Sequence, residues 1–187
     1  MAFVRNIFAW ALATVLDSPR TLGHKVGKRG KLCSLAVEYM DGLFNKSFCR
    51  SLDAKARLLL PPEYKTIFAE ENEAGSFVLA HKDTYLVAYR PSQWQAIQEA
   101  LLSVRNPSPN MNIFMAKFLG LAETVTPDQQ GRVRIPQPLL RAAGITKDVQ
   151  LVGMLRTFHI WDQALFDAAQ PADITSELAA QGITVPF

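Results

Sequence analysis

The sequence predicts an α+β fold built from two tandem copies of one small unit, and three observations lead there. The first is an internal repeat. Asp53, Arg57 and Pro61 return 75 residues later, in identical register, as Asp128, Arg132 and Pro136. Phe77-Val78-Leu79 is answered by Val149-Gln150-Leu151, Tyr89 by Trp161 and Trp94 by Phe166, now at an offset of 72, so three residues are lost between the two blocks. The second is that short apolar runs, too short for helices, alternate with Pro, Gly and Asp at turn positions. The third is composition: 187 residues with 49% apolar and 20% charged side chains suit an ordinary packed domain and exclude wholesale disorder. One unit runs over residues 44–100, the other over 120–169, and 101–119 connects them.

Each unit reads locally in the same order. An apolar strand near Phe48, or near Val125, meets Asp-x-x-(Ala/Gly)-Arg. There the Asp can accept backbone hydrogen bonds in an Asx turn, and Gly131 tolerates positive φ. A strand over 58–60, or 133–135, ends at proline, which cannot donate to a ladder but suits the first turn of a helix. In the second unit that helix covers about 137–143, with Gly144 placed to end it in the left-handed region. Strand pairs follow at 77–79 with 85–89, and at 149–152 with 157–161. Helices then start near Ser92 and Asp162, both good N-cap residues. The connector carries Met111, Phe114, Met115, Phe118 and Leu119 at helical spacing, which predicts an amphipathic helix.

The ends differ from this body. Residues 7–16 form an apolar run of ten, half of what a helix needs to cross a bilayer. With Arg5 ahead of it, this run has the outline of a weak signal peptide; the competing readings are a short amphipathic helix and a translated stretch ahead of a start at Met40. The basic, Gly-containing stretch 23–31 reads as a flexible linker. Residues 1–39 are therefore expected to be an N-terminal extension, flexible or not native and dispensable for specific binding by the body, the alternative being a basic arm that adds non-specific phosphate contacts, and 170–187 a loosely attached tail.

Charge is informative only when divided. The net charge is +3, but residues 1–39 hold six Lys or Arg against two acids, and residues 40–187 hold 14 against 15. A body that binds nucleic acid must therefore do so through a local patch. Lys46, Arg50, Lys55, Arg57, Arg132 and Arg134 all fall within the two repeated blocks and form the candidate patch. Arg57 and Arg132 admit two roles, a salt bridge to the motif Asp or projection to phosphates and base edges, to which a guanidinium fork is suited. Asp53 and Asp128 could be a catalytic carboxylate pair. Their repetition at equivalent sites, each with an Arg four residues on, favours structural turns, with Gly131 completing the second. No catalytic constellation is present, so the chain reads as a non-enzyme: there is no P-loop, Rossmann glycine pattern or GxSxG. Two cysteines, Cys33 and Cys49, and three scattered histidines give no metal-site spacing, and no cofactor or small-molecule substrate is expected. Trp94, Trp161, Phe158 and Phe166 read as core, His81 and His159 as surface or partly buried side chains.

The two Asp-x-x-x-Arg blocks, each running into a β segment and a proline, with FVLAHKDTYLVAY and VQLVGMLRTFHIWD behind them, resemble the MraZ family of bacterial transcriptional regulators. Ala56 departs from the Gly that the family favours before the motif Arg, and Gly131 keeps it. The resemblance implies two swapped-hairpin (SpoVT/AbrB-like) repeats pairing as a pseudo-dimeric β core, and chains assembling into a ring-shaped homo-oligomer. It further implies double-stranded DNA as partner, through short direct repeats in the promoter of the division and cell-wall gene cluster, including the protein's own gene, and a cytoplasmic, nucleoid-associated location. The alternative is an AbrB-like protein-interaction or antitoxin-type module that does not act on that promoter.

Overall fold

The computed structural model describes residues 42–70, 72, 74–170 and 173–183. The expectations for residues 1–39 lie outside the described residues, as does part of the tail. The first unit supplies β1 (Ser47–Ser51), β2 (Arg57–Leu59), α1 (Pro62–Ala69), β3 (Phe77–Lys82), β4 (Tyr85–Tyr89) and α2 (Pro91–Leu102). After the connector helix α3 (Pro109–Gly120), the second supplies β5 (Glu123–Val125), β6 (Arg132–Arg134), α4 (Gln137–Ala143), β7 (Asp148–Met154), β8 (Thr157–Asp162) and α5 (Gln163–Ala168). A last short helix, α6 (Thr175–Ala180), lies in the tail.

Local chemistry sets the helix boundaries. Pro62 and Pro91 occupy the first position of α1 and α2, where a missing N–H costs nothing and φ is already helical. The second helix thus begins one residue before Ser92, with the Arg90 N–H satisfied by the Gln93 side chain at 3.2 Å. Ser108 caps α3 by accepting from the Met111 N–H at 3.2 Å. Asp162 caps α5 in the same manner from Ala164 at 3.1 Å. Gly144, at φ 68°, closes α4 in the left-handed region as its sequence position predicts.

The strands form a mixed arrangement of units within one antiparallel sheet. Its order is β1-β7-β8-β4-β3-β5, and a separate two-stranded ribbon joins β2 to β6. The first strand of each unit leaves its own unit: β1 pairs with β7, placing Phe48 opposite Leu151, and β5 pairs with β3, placing Val125 opposite Phe77. The two units meet at the centre through β4 and β8, with Leu86 opposite Ile160. Exchanging the units leaves this strand order unchanged.

Alternation along these short strands buries one face in a single core shared by both units. Phe44, Tyr64, Phe68, Phe77 and Phe158 form its aromatic centre, with Leu58, Leu79, Val133, Ile135, Leu139, Leu151 and Ile160 around it. Phe158 meets the rings of Tyr64 at 4.9 Å, Phe44 at 5.4 Å, Phe77 at 5.8 Å and Phe68 at 5.9 Å, four partners drawn from the other unit. The approach to β1 crosses β7 so closely that a Cβ on Gly153 would stand 2.6 Å from the Phe44 carbonyl carbon, which excludes any side chain there without a backbone shift.

The other face of the sheet is covered unequally. Over the first unit, Trp94, Ile97 and Leu101 of α2 and Phe114 and Phe118 of α3 pack on Ala80, Val87 and Tyr89. The connector helix is thus amphipathic as expected, with Phe118 its buried anchor. Over the second unit α5 has only six residues. There Tyr85 stacks on Trp161 at 4.2 Å and on His159 at 4.6 Å, and Phe166 meets Trp161 at 6.1 Å. Of the four repeated aromatics, Phe158 is fully buried and Trp94, Trp161 and Phe166 are half-buried. Burial lowers the His159 pKa to about 4, with the Lys82 charge adding to the effect. Among the described residues no helix is long and apolar enough to cross a membrane.

Truncating the ring that both units share should be expensive. Phe158→Ala is expected to cost about 3–5 kcal/mol of unfolding free energy by urea denaturation, with the spectroscopic probes of both units shifting together.

Candidate nucleic-acid interface

The repeated Asp motif builds two nearly identical turns. In the first, Asp53 Oδ1 accepts the backbone N–H groups of Lys55 at 2.8 Å and Arg57 at 2.9 Å. In the second, Asp128 Oδ1 accepts those of Gln130 at 2.9 Å and Arg132 at 2.8 Å. Backbone bonds close each loop: Ala56 N–H to the Asp53 carbonyl at 2.9 Å, and Gly131 N–H to the Asp128 carbonyl at 2.8 Å. Both fourth residues take positive φ, 57° at Ala56 and 78° at Gly131. The two turns therefore share one geometry although only the second has the glycine. In each turn one carboxylate oxygen, Oδ1, orders the backbone.

Each turn also holds the other unit. Leu60 donates to the Gly131 carbonyl at 3.0 Å and Ile135 to the Ala56 carbonyl at 2.9 Å, so each strand of the ribbon is fastened at its far end by the opposite turn. Between these fastenings Arg57 lies opposite Arg134, Leu58 opposite Val133 and Leu59 opposite Arg132. Residues opposite each other in an antiparallel pair share a face. Leu58 and Val133, 1% exposed each, point into the core. Arg57, Leu59, Arg132 and Arg134 consequently make up the outward face: three guanidinium groups and an exposed leucine on a ribbon two strands wide.

The two motif arginines differ. Arg57 Nε donates to Asp53 Oδ2 at 2.7 Å, the salt bridge to the motif carboxylate. Bonds from the Arg57 backbone, opposed by desolvation and aided by its side chain, hold the Asp53 carboxyl below its ordinary pKa. Arg132 makes no ion pair among the described residues, and neither do Lys55 and Arg134.

Of the six basic residues singled out by sequence, the structure gathers Lys55, Arg57, Arg132 and Arg134 on the ribbon and its turns. The other two lie elsewhere. Lys46, before β1, pairs with Glu63 of α1 at 2.6 Å. Arg50, on β1, lies over the Phe48 ring at 5.5 Å and donates to the Cys49 carbonyl at 2.8 Å. Three cations not singled out stand beside the turns. Arg141 and Lys147 line an open groove of about 430 Å³ with Asp53 and Ala54. At the other turn, a Cβ on Gly131 would meet the Lys65 side chain at 3.6 Å. These three are isolated in sequence, and only the crossing of each turn onto the other unit's helix brings them in. No three His, Cys, Asp or Glu side chains converge as metal ligands do among the described residues.

The family model described as "MraZ protein, putative antitoxin-like" matches residues 118–181. The chain is 43% identical over 148 residues to the transcriptional regulator MraZ of Nitratidesulfovibrio vulgaris Hildenborough, covering 78% of this chain and 99% of that one. It is 40% identical over 144 residues to the protein of the same name from the Miyazaki F strain, covering 75% and 97%. For that of Oleidesulfovibrio alaskensis the identity is 36% over 141 residues, covering 74% and 95%. Likeness of this extent to proteins named as regulators of transcription puts the chain in that class. It belongs to the MraZ family.

The shared turn geometry makes the two fourth residues a matched test. Gly131→Ala places a methyl group in ordinary contact distance but at positive φ, and is expected to cost about 1 kcal/mol. Ala56→Gly removes the same strain and is expected to add up to about 1 kcal/mol, less the extra chain entropy of glycine. Urea denaturation of the two variants should therefore move the midpoint in opposite directions.

Proposed function

We propose that this protein is a sequence-specific DNA-binding regulator of transcription. Its two units are swapped-hairpin (SpoVT/AbrB-like) repeats, and the β2–β6 ribbon is the reading element. The observation that carries the proposal is the outward ribbon face, where Arg57, Arg132 and Arg134 project from paired strands whose opposite face is anchored in the core. A two-stranded ribbon fits the B-DNA major groove, which is about 12 Å wide. Guanidinium forks there can bridge guanine O6 and N7 or bind phosphate. The turns support the reading by placing Lys55 beside the ribbon and by presenting it on a rigid base.

A ribbon of three residues a strand makes few base contacts, so one module binds weakly. Several modules in a ring-shaped homo-oligomer, meeting several short direct repeats, would gain affinity by linkage without new contacts. The half-buried stack of Tyr85, His159 and Trp161 under a short α5 leaves apolar surface available for such assembly. The promoter is that of the division and cell-wall gene cluster, including the protein's own gene, and the protein works in the cytoplasm on the nucleoid. The antitoxin-like wording attached to the matching family model favours one second reading, a protein-interaction module of the same fold.

A gel-shift with the duplex upstream of its own gene separates the two, since only the first reading expects retardation. Arg132→Ala is expected to weaken binding and lower the salt slope of the affinity by about one, with the fold and self-association intact. Arg57→Ala should do the same, with an added loss of stability from the broken Asp53 pair. Loss of the oligomer with either variant and no change in DNA affinity would show that these arginines serve only structure.

A further inference from the structure

We propose that the ribbon binds DNA in one polarity, gripping phosphates more strongly at its Asp53 end, with Arg141 and Lys147 as phosphate ligands there. The inference rests on the reading of the ribbon as the DNA-binding element and adds which end of it lies where. A module with two equivalent ends sits on a duplex equally well in either direction. A module with unequal ends does not.

The two ends are unequal in charge. The register puts Arg57 and Arg134 at one end of the ribbon, and Leu59 and Arg132 at the other. The Asp53 turn adjoins the first, because Ile135 bonds to the Ala56 carbonyl immediately after Arg134. The Asp128 turn adjoins the second, because Leu60 bonds to the Gly131 carbonyl immediately after Leu59. Lys55 of the first turn corresponds to Gln130 of the second, and Arg134 corresponds by the repeat to Leu59.

The neighbouring helices increase the difference. Beside the Asp53 turn, Arg141 of α4 and Lys147 line the open groove. Lys147 is fixed there by its carbonyl, which accepts the Leu52 N–H at 2.8 Å, and by Thr146, whose N–H and hydroxyl both donate to Asp162 at 3.1 Å. Asp148, the next residue, is engaged by the Ser51 hydroxyl at 2.5 Å. Beside the Asp128 turn stands Lys65, and Glu63 on the same helix is paired with Lys46. Counting ribbon, turn and the adjoining segment, the Asp53 end carries Lys55, Arg57, Arg134, Arg141 and Lys147 against Asp53 and Asp148. The Asp128 end carries Arg132 and Lys65 against Asp128.

Each phosphate neutralised releases condensed counterions, so the end with more cations contributes more to affinity and to its salt dependence. Direct repeats present every site in the same direction, and modules with unequal ends match them where modules with equal ends would match inverted repeats as well.

Hydroxyl-radical footprinting on the duplex upstream of the protein's own gene tests this, with the full chain and an Arg141→Gln, Lys147→Gln double variant. The variant is expected to lose backbone protection on one flank of each bound repeat, the same flank every time, and to lower the salt slope by about two. Lys65→Gln is expected to lose protection on the opposite flank and to lower the slope by no more than about one. Protection lost equally on both flanks, or an unchanged slope in the double variant, would overturn the polarity while leaving DNA binding standing. No retardation or footprint by the unaltered chain would overturn the DNA-binding reading, and the polarity with it.

Discussion

The reciprocal fastening of the two Asp turns is the constraint on which the rest of this structure depends. Each carboxylate orders the backbone of its own turn, and the carbonyl presented at the turn's end accepts a hydrogen bond from the other unit's strand. Neither ribbon strand, at three residues, has a stable partner within its own unit. Short strands of this kind cannot stand alone. The chain therefore forms one core from two repeats, and the outward arginine face exists only once both are folded.

The two units are alike in some features and differ in others. The two turns are symmetrical, with matched bond lengths. Elsewhere the units differ: α2 and α3 cover the sheet over the first, whereas six-residue α5 covers it over the second. The Asp53–Arg57 ion pair has no counterpart at Asp128, and Lys55, Arg141 and Lys147 concentrate charge at one end. Lys55, Arg141 and Lys147 cost the fold little because they are exposed, where single charges contribute little to stability.

Much of this was legible in the sequence because the signals are local. The Asx turns, the prolines after each ribbon strand, Gly144 at the end of α4 and the apolar spacing of α3 each follow from the conformational preferences of one or a few residues. The pairing of β1 with β7 and of β5 with β3 was not readable from the residues, since short apolar strands carry no mark of their partner. For the same reason sequence proximity does not say which cations stand on the ribbon and its turns. Lys46 and Arg50 are near the motif along the chain, yet one is bound to Glu63 and the other lies over Phe48. Arg141, Lys147 and Lys65 are far from the turns they adjoin and become visible only after each turn has crossed onto the opposite unit. Ala56 is a related case: the strain of a non-glycine at positive φ is accepted because the Asp53 carboxylate and the Ile135 N–H fix the turn from both sides.

Native-state hydrogen exchange tests the central claim most directly. The amides of Leu60 and Ile135, one in each unit, cross to the opposite turn. If the two turns hold each other, both amides exchange only through global unfolding, and Val133→Ala in the second unit lowers the protection of both by the same free energy. Loss of protection at Ile135 with Leu60 unchanged would show that the units open independently and would contradict the account.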